Sequence, residues 1–170
     1  MTATVRPLGP DDHAAWRALR LEALQTYPSA FLTTYAEQLA RPPEDERAML
    51  AQGNWCGLFA DGGMIGQGAV LRLTHAACQH RAEIGAFYVA RAYQGAGLAV
   101  PLLEGLVERA RSIGVDQLEL SVEAGNQQAI RFYERNGFQR FGTQPRAVVL
   151  NGVAHDDCFY VRFLGDTQNG

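Results

Sequence analysis

The feature that most constrains this 170-residue chain is a glycine-bearing bend set between a strand pattern and a helix pattern. Upstream, Glu83 to Val89 is rich in aromatic and branched residues and reads as a strand. Downstream, Leu98, Leu102, Leu103, Leu106, Val107 and Ala110 recur at helical spacing, with Glu104, Glu108, Arg109 and Arg111 off the stripe. Gly114 ends that helix, and Leu118, Leu120 and Val122 alternate as a further strand. Strand, helix and strand together have about the length of a βαβ unit. The bend itself is Val89-Ala90-Arg91-Ala92-Tyr93-Gln94-Gly95-Ala96-Gly97-Leu98-Ala99. Its glycines permit a tight turn and a close approach to a ligand. The first N–H groups of the following helix lack intrahelical partners, and with the helix dipole they form a socket suited to a phosphate or pyrophosphate. Pro101 falls in the first turn, where its missing N–H breaks no helix bond.

Taken alone, the bend also fits a plain glycine-rich turn. Gly95 and Gly97 match the first two glycines of a dinucleotide fingerprint, but the third position is Val100 and the motif sits too far along the chain. A Walker-type phosphate loop is excluded, because all 15 basic residues are arginines and the chain has no lysine. The same absence removes a lysine Schiff base, and with it most pyridoxal-phosphate chemistry.

The rest of the chain supplies elements around this unit. Thr4 to Leu8 reads as a strand, and Pro10-Asp11-Asp12 as the start of a helix carrying Trp16, Leu19, Ala23 and Leu24 through Tyr27, stopped by Pro28. A weaker helix is expected between Pro43 and Gln52. Trp55 to Ala60, the turn Asp61-Gly62-Gly63 and Met64 to Leu73 continue, through a loop at Thr74 to Gln79, into an antiparallel meander ending at Val89. Ala129, Ile130 and Tyr133 belong to another helix, closed by Asn136-Gly137. Strands follow at Phe138 to Phe141, Ala147 to Leu150 and Cys158 to Leu164. Asn151-Gly152 is a turn, and the connection through Asp157 is longer than a tight hairpin. The expectation is one α/β domain over 2–165, with a flexible polar tail at 166–170.

Composition excludes several partners. A net charge of −3 gives no basic footprint for nucleic acid. No apolar run approaches the roughly 20 residues of a membrane helix. The amino terminus lacks the apolar stretch of a secretion signal, so a cytoplasmic location is expected. The three cysteines, Cys56, Cys78 and Cys158, are far apart and suggest neither a disulfide frame nor a metal site.

Two motifs in order then carry a resemblance. Gln94-x-x-Gly97-x-Ala99 matches the Q/R-x-x-G-x-G/A signature of the GNAT superfamily of N-acetyltransferases. Val122 to Phe138, with Asn126, Ala129, Tyr133 and the closing Gly137-Phe138, resembles that family's second signature. The resemblance covers nearly the whole chain and is firmest from Glu83 to Phe138. It implies a central mixed, mostly antiparallel, splayed sheet flanked by helices, and acetyl-CoA in the notch between the strands ending at Val89 and Val122. By the same resemblance, Phe87, Tyr88 and Val89 would lie along the pantetheine arm, with backbone pairing like that of an added strand. Amides of Gln94, Gly95, Ala96, Gly97, Leu98 and Ala99 would hold the pyrophosphate. Asn126 would contact the pantetheine or cap its helix, and Ala129, Phe132 and Tyr133 would line the channel.

The resemblance further implies direct attack of an amine on the thioester within a ternary complex, without metal. Tyr133 matches the tyrosine that protonates the departing thiolate, since a phenol keeps its proton at neutral pH. Glu83 matches a base, and strand alternation puts it on the side of Phe87 and Val89 if no bulge intervenes. Asp156, Asp157 and Tyr160 near the last strand, and Arg20, Glu22 and Phe31 in the variable helical region, are the candidate acceptor contacts. His155 is a further possible base. The acceptor is a small-molecule amine, an amino acid, an antibiotic or a protein amino terminus, and the weakly acidic composition leans slightly toward a cationic small molecule. Alternatives are a CoA sensor without turnover and an acyltransferase taking a longer chain, for which Gly85 and Ala86 leave room. Relatives often pair as homodimers, but nothing in the sequence locates an interface.

Overall fold

The computed structural model describes residues 2–165; the expected tail at 166–170 lies outside the described residues. Among the described residues, the seven strands β1 (Thr4–Pro7), β2 (Trp55–Ala60), β3 (Gly63–Arg72), β4 (Arg81–Val89), β5 (Gln117–Glu123), β6 (Gln139–Leu150) and β7 (Val153–Phe163) are hydrogen-bonded in the order β1-β2-β3-β4-β5-β7-β6. The described residues form two compact units, 2–70 with 85–106, and 71–84 with 107–165.

In the first unit, β1 (Thr4–Pro7) pairs antiparallel with β2 (Trp55–Ala60), and β2 with β3 (Gly63–Arg72). Between β1 and β2 come α1 (His13–Thr26), α2 (Tyr35–Ala40) and α3 (Pro43–Leu50). A 3-10 turn at Pro10–Asp12 leads into α1, where Asp12 accepts from the Gly9 N–H and pairs with Arg6. Trp16 meets Trp55 edge-on at 5.1 Å, in a core cluster with Leu8, Leu50 and Ala69. Full burial of a leucine such as Leu8 or Leu50 contributes about 1.5–3 kcal/mol. The three helices also share one buried carboxylate. Glu46 of α3 is bonded by His13 and Arg17 of α1 and by Gln38 of α2. Burial alone raises this carboxyl; the bonds from His13, Arg17 and Gln38 outweigh it and hold the group below its ordinary value.

β4 (Arg81–Val89) and α4 (Ala99–Ser112) contribute residues to both units. In the second unit, Arg81–Glu83 of β4 pair in parallel with Gln117–Glu119 of β5 (Gln117–Glu123). α5 (Gln127–Arg135) follows, then β6 (Gln139–Leu150) and β7 (Val153–Phe163), with β7 antiparallel to both β5 and β6. The expected mixed, mostly antiparallel sheet with flanking helices is the observed fold.

Four departures from the sequence reading have local causes. α2 was not expected, because its one buried side chain is Gln38 and it shows no apolar stripe; it is set instead by a capping box between Thr34 and Glu37. The last strands form one long hairpin rather than separated pieces. Asn151 (φ 49) and Gly152 (φ 79) make a two-residue turn, and Asp156 and Asp157, expected in a connection, lie inside β7. β6 looked broken because Pro145 and Arg146 (φ 52) form a bulge between Gln144 and Val148. Finally, Ala86 on β4 takes φ 53, so the alternation that would align Glu83 with Phe87 and Val89 is interrupted between them.

Candidate active site

In the first unit, β4 ends at Val89, a 3-10 turn covers Arg91–Tyr93, and α4 starts at Ala99. Gly95 (φ 80) and Gly97 (φ 77) both take the left-handed conformation that favours glycine. A Cβ at either would meet nothing within 4 Å, so this face of the bend is open. Among the described residues, the N–H groups of Gly95, Ala96, Gly97 and Leu98 donate to no backbone carbonyl. The bend is anchored from behind. Gln94 donates from Nε2 to the Val89 carbonyl at 2.9 Å and accepts the Tyr27 hydroxyl at 3.1 Å. Phe87, Leu98 and Ala99 pack on the cluster that contains Val89 and Leu102. The donor set and open face therefore fit the diphosphate of a CoA ester.

Several expected ligand contacts are bonded to one another. Tyr88 donates to Glu22 Oε1 at 2.8 Å, and the Arg91 N–H donates to the same oxygen at 2.9 Å. Burial, and then the bond to Glu22, push the Tyr88 phenol up to about 12. Arg20 is 7% exposed, lies 5.1 Å from the centre of the Phe31 ring, and reaches Gln38 at 3.4 Å. Tyr27 and Arg91 were missed by the sequence reading. Tyr27 caps the end of α1 and follows Trp16, Arg20 and Ala23 at helical spacing, which was the available signal, though the residue itself is exposed.

In the second unit, Asn126 caps α5 by accepting the Ala129 N–H, which is one of its two expected roles. Tyr133 is buried on α5 with its ring between Phe132 at 5.2 Å and Phe138 at 5.6 Å, and burial raises its phenol well above the usual value. Glu83 is exposed; desolvation by surrounding protein, and then the charge of Glu119 beside it in register, raise its carboxyl. Glu119 is driven the other way, foremost by the Arg81 guanidinium at 2.6 and 2.8 Å, against its own burial. Two adjacent carboxylates with separated pKa values are an arrangement suited to proton transfer.

Asp156 and Asp157, neighbours on a strand, point to opposite faces. Asp156 accepts the Arg146 N–H; Asp157 is half-buried opposite Glu123, and burial, then Glu123 and Asp156, raise its carboxyl. His155 bonds Glu123 at 2.8 Å. Tyr160 is buried, with its hydroxyl on Glu134 at 3.1 Å. Among the described residues, no cluster of His, Cys, Asp and Glu is suited to a metal ion, and no helix is long and apolar enough to cross a membrane.

Comparison with known proteins shows the family and the fold. Residues 16–138 match the model of the acetyltransferase (GNAT) family. Over 134 residues the chain is 31% identical to a mycothiol acetyltransferase of Brachybacterium faecium, a match covering 77% of this chain and 39% of the relative. Over 59 residues it is 39% identical to an L-methionine sulfoximine/L-methionine sulfone acetyltransferase of Pseudomonas aeruginosa, covering 35% of this chain and 34% of the relative. The chain thus spans less than half the length of these curated relatives. In fold it is similar to yncA of Salmonella typhimurium, solved with acetyl-CoA, with TM-score 0.83 and 20% identity over 100% of this chain and 98% of that one. It is also similar to a ribosomal-protein-alanine N-acetyltransferase of Brucella melitensis, with TM-score 0.82 and 23% identity over 95% and 99% of the two chains.

Proposed function

The chain belongs to the GNAT family of acetyltransferases, and from that premise we propose that it moves an acetyl group from acetyl-CoA to a primary amine, in one catalytic domain over 2–165. The observation that carries this reading is the bend at Gln94 to Ala99, with left-handed glycines, an open face and N–H groups without backbone acceptors. Those amides and the start of α4 hold the diphosphate. Phe87 and Val89 bind the pantetheine arm by backbone pairing, and Ala129 and Phe132 line its path.

Acetyl-CoA supplies an activated acetyl thioester that a neutral, well-placed amine attacks without a covalent enzyme intermediate. Glu83, directly or through water, takes the proton from the amine nitrogen, and a carboxyl raised above its ordinary value is the stronger base for that work. Tyr133 keeps its proton at neutral pH because burial disfavours the phenolate, and it gives that proton to the departing sulfur. The acceptor is a small-molecule amine or a protein amino terminus, bound by the α1–α2 region with Arg20, Glu22 and Phe31, and by Asp156, Asp157 and Tyr160 of β7. The similarity to acetyltransferases named for an amino-acid derivative and for ribosomal-protein alanine supports both classes. The test is thiol release from acetyl-CoA across a panel of amine classes. Release above the acceptor-free rate with at least one class is expected; a folded, CoA-binding protein inert to all of them refutes the proposal.

A further inference from the structure

The first unit contains buried polar atoms left unsatisfied, one of them on Arg20, which is already proposed as an acceptor contact. Trp16 Nε1, Arg20 Nη1 and both ends of the Gln67 side chain are buried and have no hydrogen-bond partner in the structure. Such groups are rare in native proteins, and each calls for an ordered water, an ion or a ligand. Trp16 and Arg20 stand one turn apart on α1, so they are neighbours on one face of the helix. Gln67 is fully buried on β3, two residues before Ala69, and Ala69 packs in the same cluster as Trp16. Strand alternation puts Gln67 on the side of Ala69. Its antiparallel neighbour on β2 is Gly57, which offers no side chain to pair with it.

The chemistry of this group favours an anion over water. N–H donors outnumber the single oxygen, and one donor carries a full positive charge. Among the described residues no carboxylate pairs with Arg20. Glu46 is taken by His13, Arg17 and Gln38, and Glu22 by Tyr88 and Arg91. Burial and the like charge of Arg41 push the Arg20 guanidinium down to about 10, which leaves it cationic at neutral pH. A buried cation without a counter-ion is costly, and an arriving carboxylate removes that cost while satisfying the donors. The half-buried Phe31 ring lies over the guanidinium and packs against Leu19, Ala23 and Tyr88. Ala86, the left-handed residue on β4, packs against the Trp16 cluster, so the subsite lies beside the strand proposed to carry the thioester.

We propose that Arg20, Gln67 and the Trp16 indole N–H bind a carboxylate of the acceptor, so that the amine acetylated by this protein belongs to a small amino acid-like molecule with amine and carboxylate close together. This rests on the acetyltransferase reading and names its substrate class. The test is a matched panel of free L-amino acids, their carboxamides and the corresponding amines without the carboxyl group, followed by thiol release from acetyl-CoA. The best acid is expected to exceed its amide by about tenfold or more in kcat/KM, mainly through KM, as removal of a charged hydrogen-bond partner does. Arg20→Gln is expected to bring that ratio toward one, and Arg20→Lys to restore part of it. Thermal stabilisation by acetyl-CoA, measured in each variant, confirms that the protein is folded. If Arg20→Gln does not fold, Gln67→Leu replaces it, with the same direction expected. Equal rates for acids and amides in the unaltered protein, or a ratio that survives Arg20→Gln, overturn the proposal. If no amine releases thiol, the acetyltransferase reading fails by itself. Thermal shift with the same acids and amides then decides the subsite: stabilisation by acids alone, lost in Arg20→Gln, supports it, and equal shifts refute it.

Discussion

Tyr88 donates its hydroxyl hydrogen to Glu22 across 2.8 Å, and this bond ties β4 to α1 just where the chain turns toward the glycine-bearing bend. The same carboxylate oxygen holds the Arg91 N–H at the first step of that turn. Tyr88→Phe removes one hydrogen bond to a charged group and should cost about 1–3 kcal/mol in chemical denaturation. Glu22→Ala releases Arg91 as well, and should weaken acetyl-CoA binding more than Tyr88→Phe does. Equal dissociation constants for the two variants would show that Glu22 does not position the bend.

Gly97→Ala should weaken acetyl-CoA by forcing a side chain into a left-handed backbone, at a cost of roughly 1–2 kcal/mol. Nothing lies within 4 Å of the added carbon, so the penalty is conformational rather than steric. Gly62→Ala is the matched control, with φ +80 and equally open space. Both variants should lower the melting temperature, and only Gly97→Ala should change the affinity for acetyl-CoA.

Glu46→Ala strips the shared acceptor from His13, Arg17 and Gln38, and should destabilise the protein by about 3–5 kcal/mol. The pH dependence has a definite sign. Because the folded carboxyl lies below its unfolded value, Glu46 contributes stability above the unfolded pKa of about 4.3, and that stability is lost as pH falls through the folded value. Denaturation midpoints should fall in that acid window for the unaltered protein and flatten there in Glu46→Ala.

Much of the fold was legible because its signals are local. The stripe of Leu102, Leu103, Leu106 and Val107 and the branched run before Val89 correspond to α4 and β4. What was not legible depends on distant partners or single dihedral angles. The α2 helix has no apolar stripe because its inward residue, Gln38, serves Glu46. The left-handed Ala86 has no sequence signal, since nothing about alanine marks φ 53, and it invalidates simple alternation along β4. In the candidate site, the bend was readable from Gly95 and Gly97. The pairing of Glu22 with Tyr88, 66 residues apart, and the orphaned donors of Trp16, Arg20 and Gln67 needed coordinates.

Glu83→Gln should remove the rising acid limb of the kcat/KM profile, which is expected above the ordinary carboxylate range because burial and Glu119 raise this group. Glu119→Gln should move that limb to lower pH by deleting the neighbouring negative charge. An unaltered profile in Glu83→Gln would assign the base elsewhere.

Tyr133→Phe keeps the ring against Phe132 and Phe138 while removing the proton donor. Acetyl-CoA affinity should stay within about twofold, and kcat should fall by roughly 10²-fold or more. Retention of full kcat, with chemistry limiting the rate, would reduce Tyr133 to a packing role.

On the proposed reading, the amides from Gln94 to Ala99 grip a diphosphate. Calorimetric titration of the protein with acetyl-CoA and, separately, with acetyl-pantetheine, which carries the same thioester without the diphosphate, isolates that grip. Acetyl-CoA is expected to bind measurably and acetyl-pantetheine with a large loss of affinity. Equal affinities, or no binding of acetyl-CoA by folded protein, would rule the grip out.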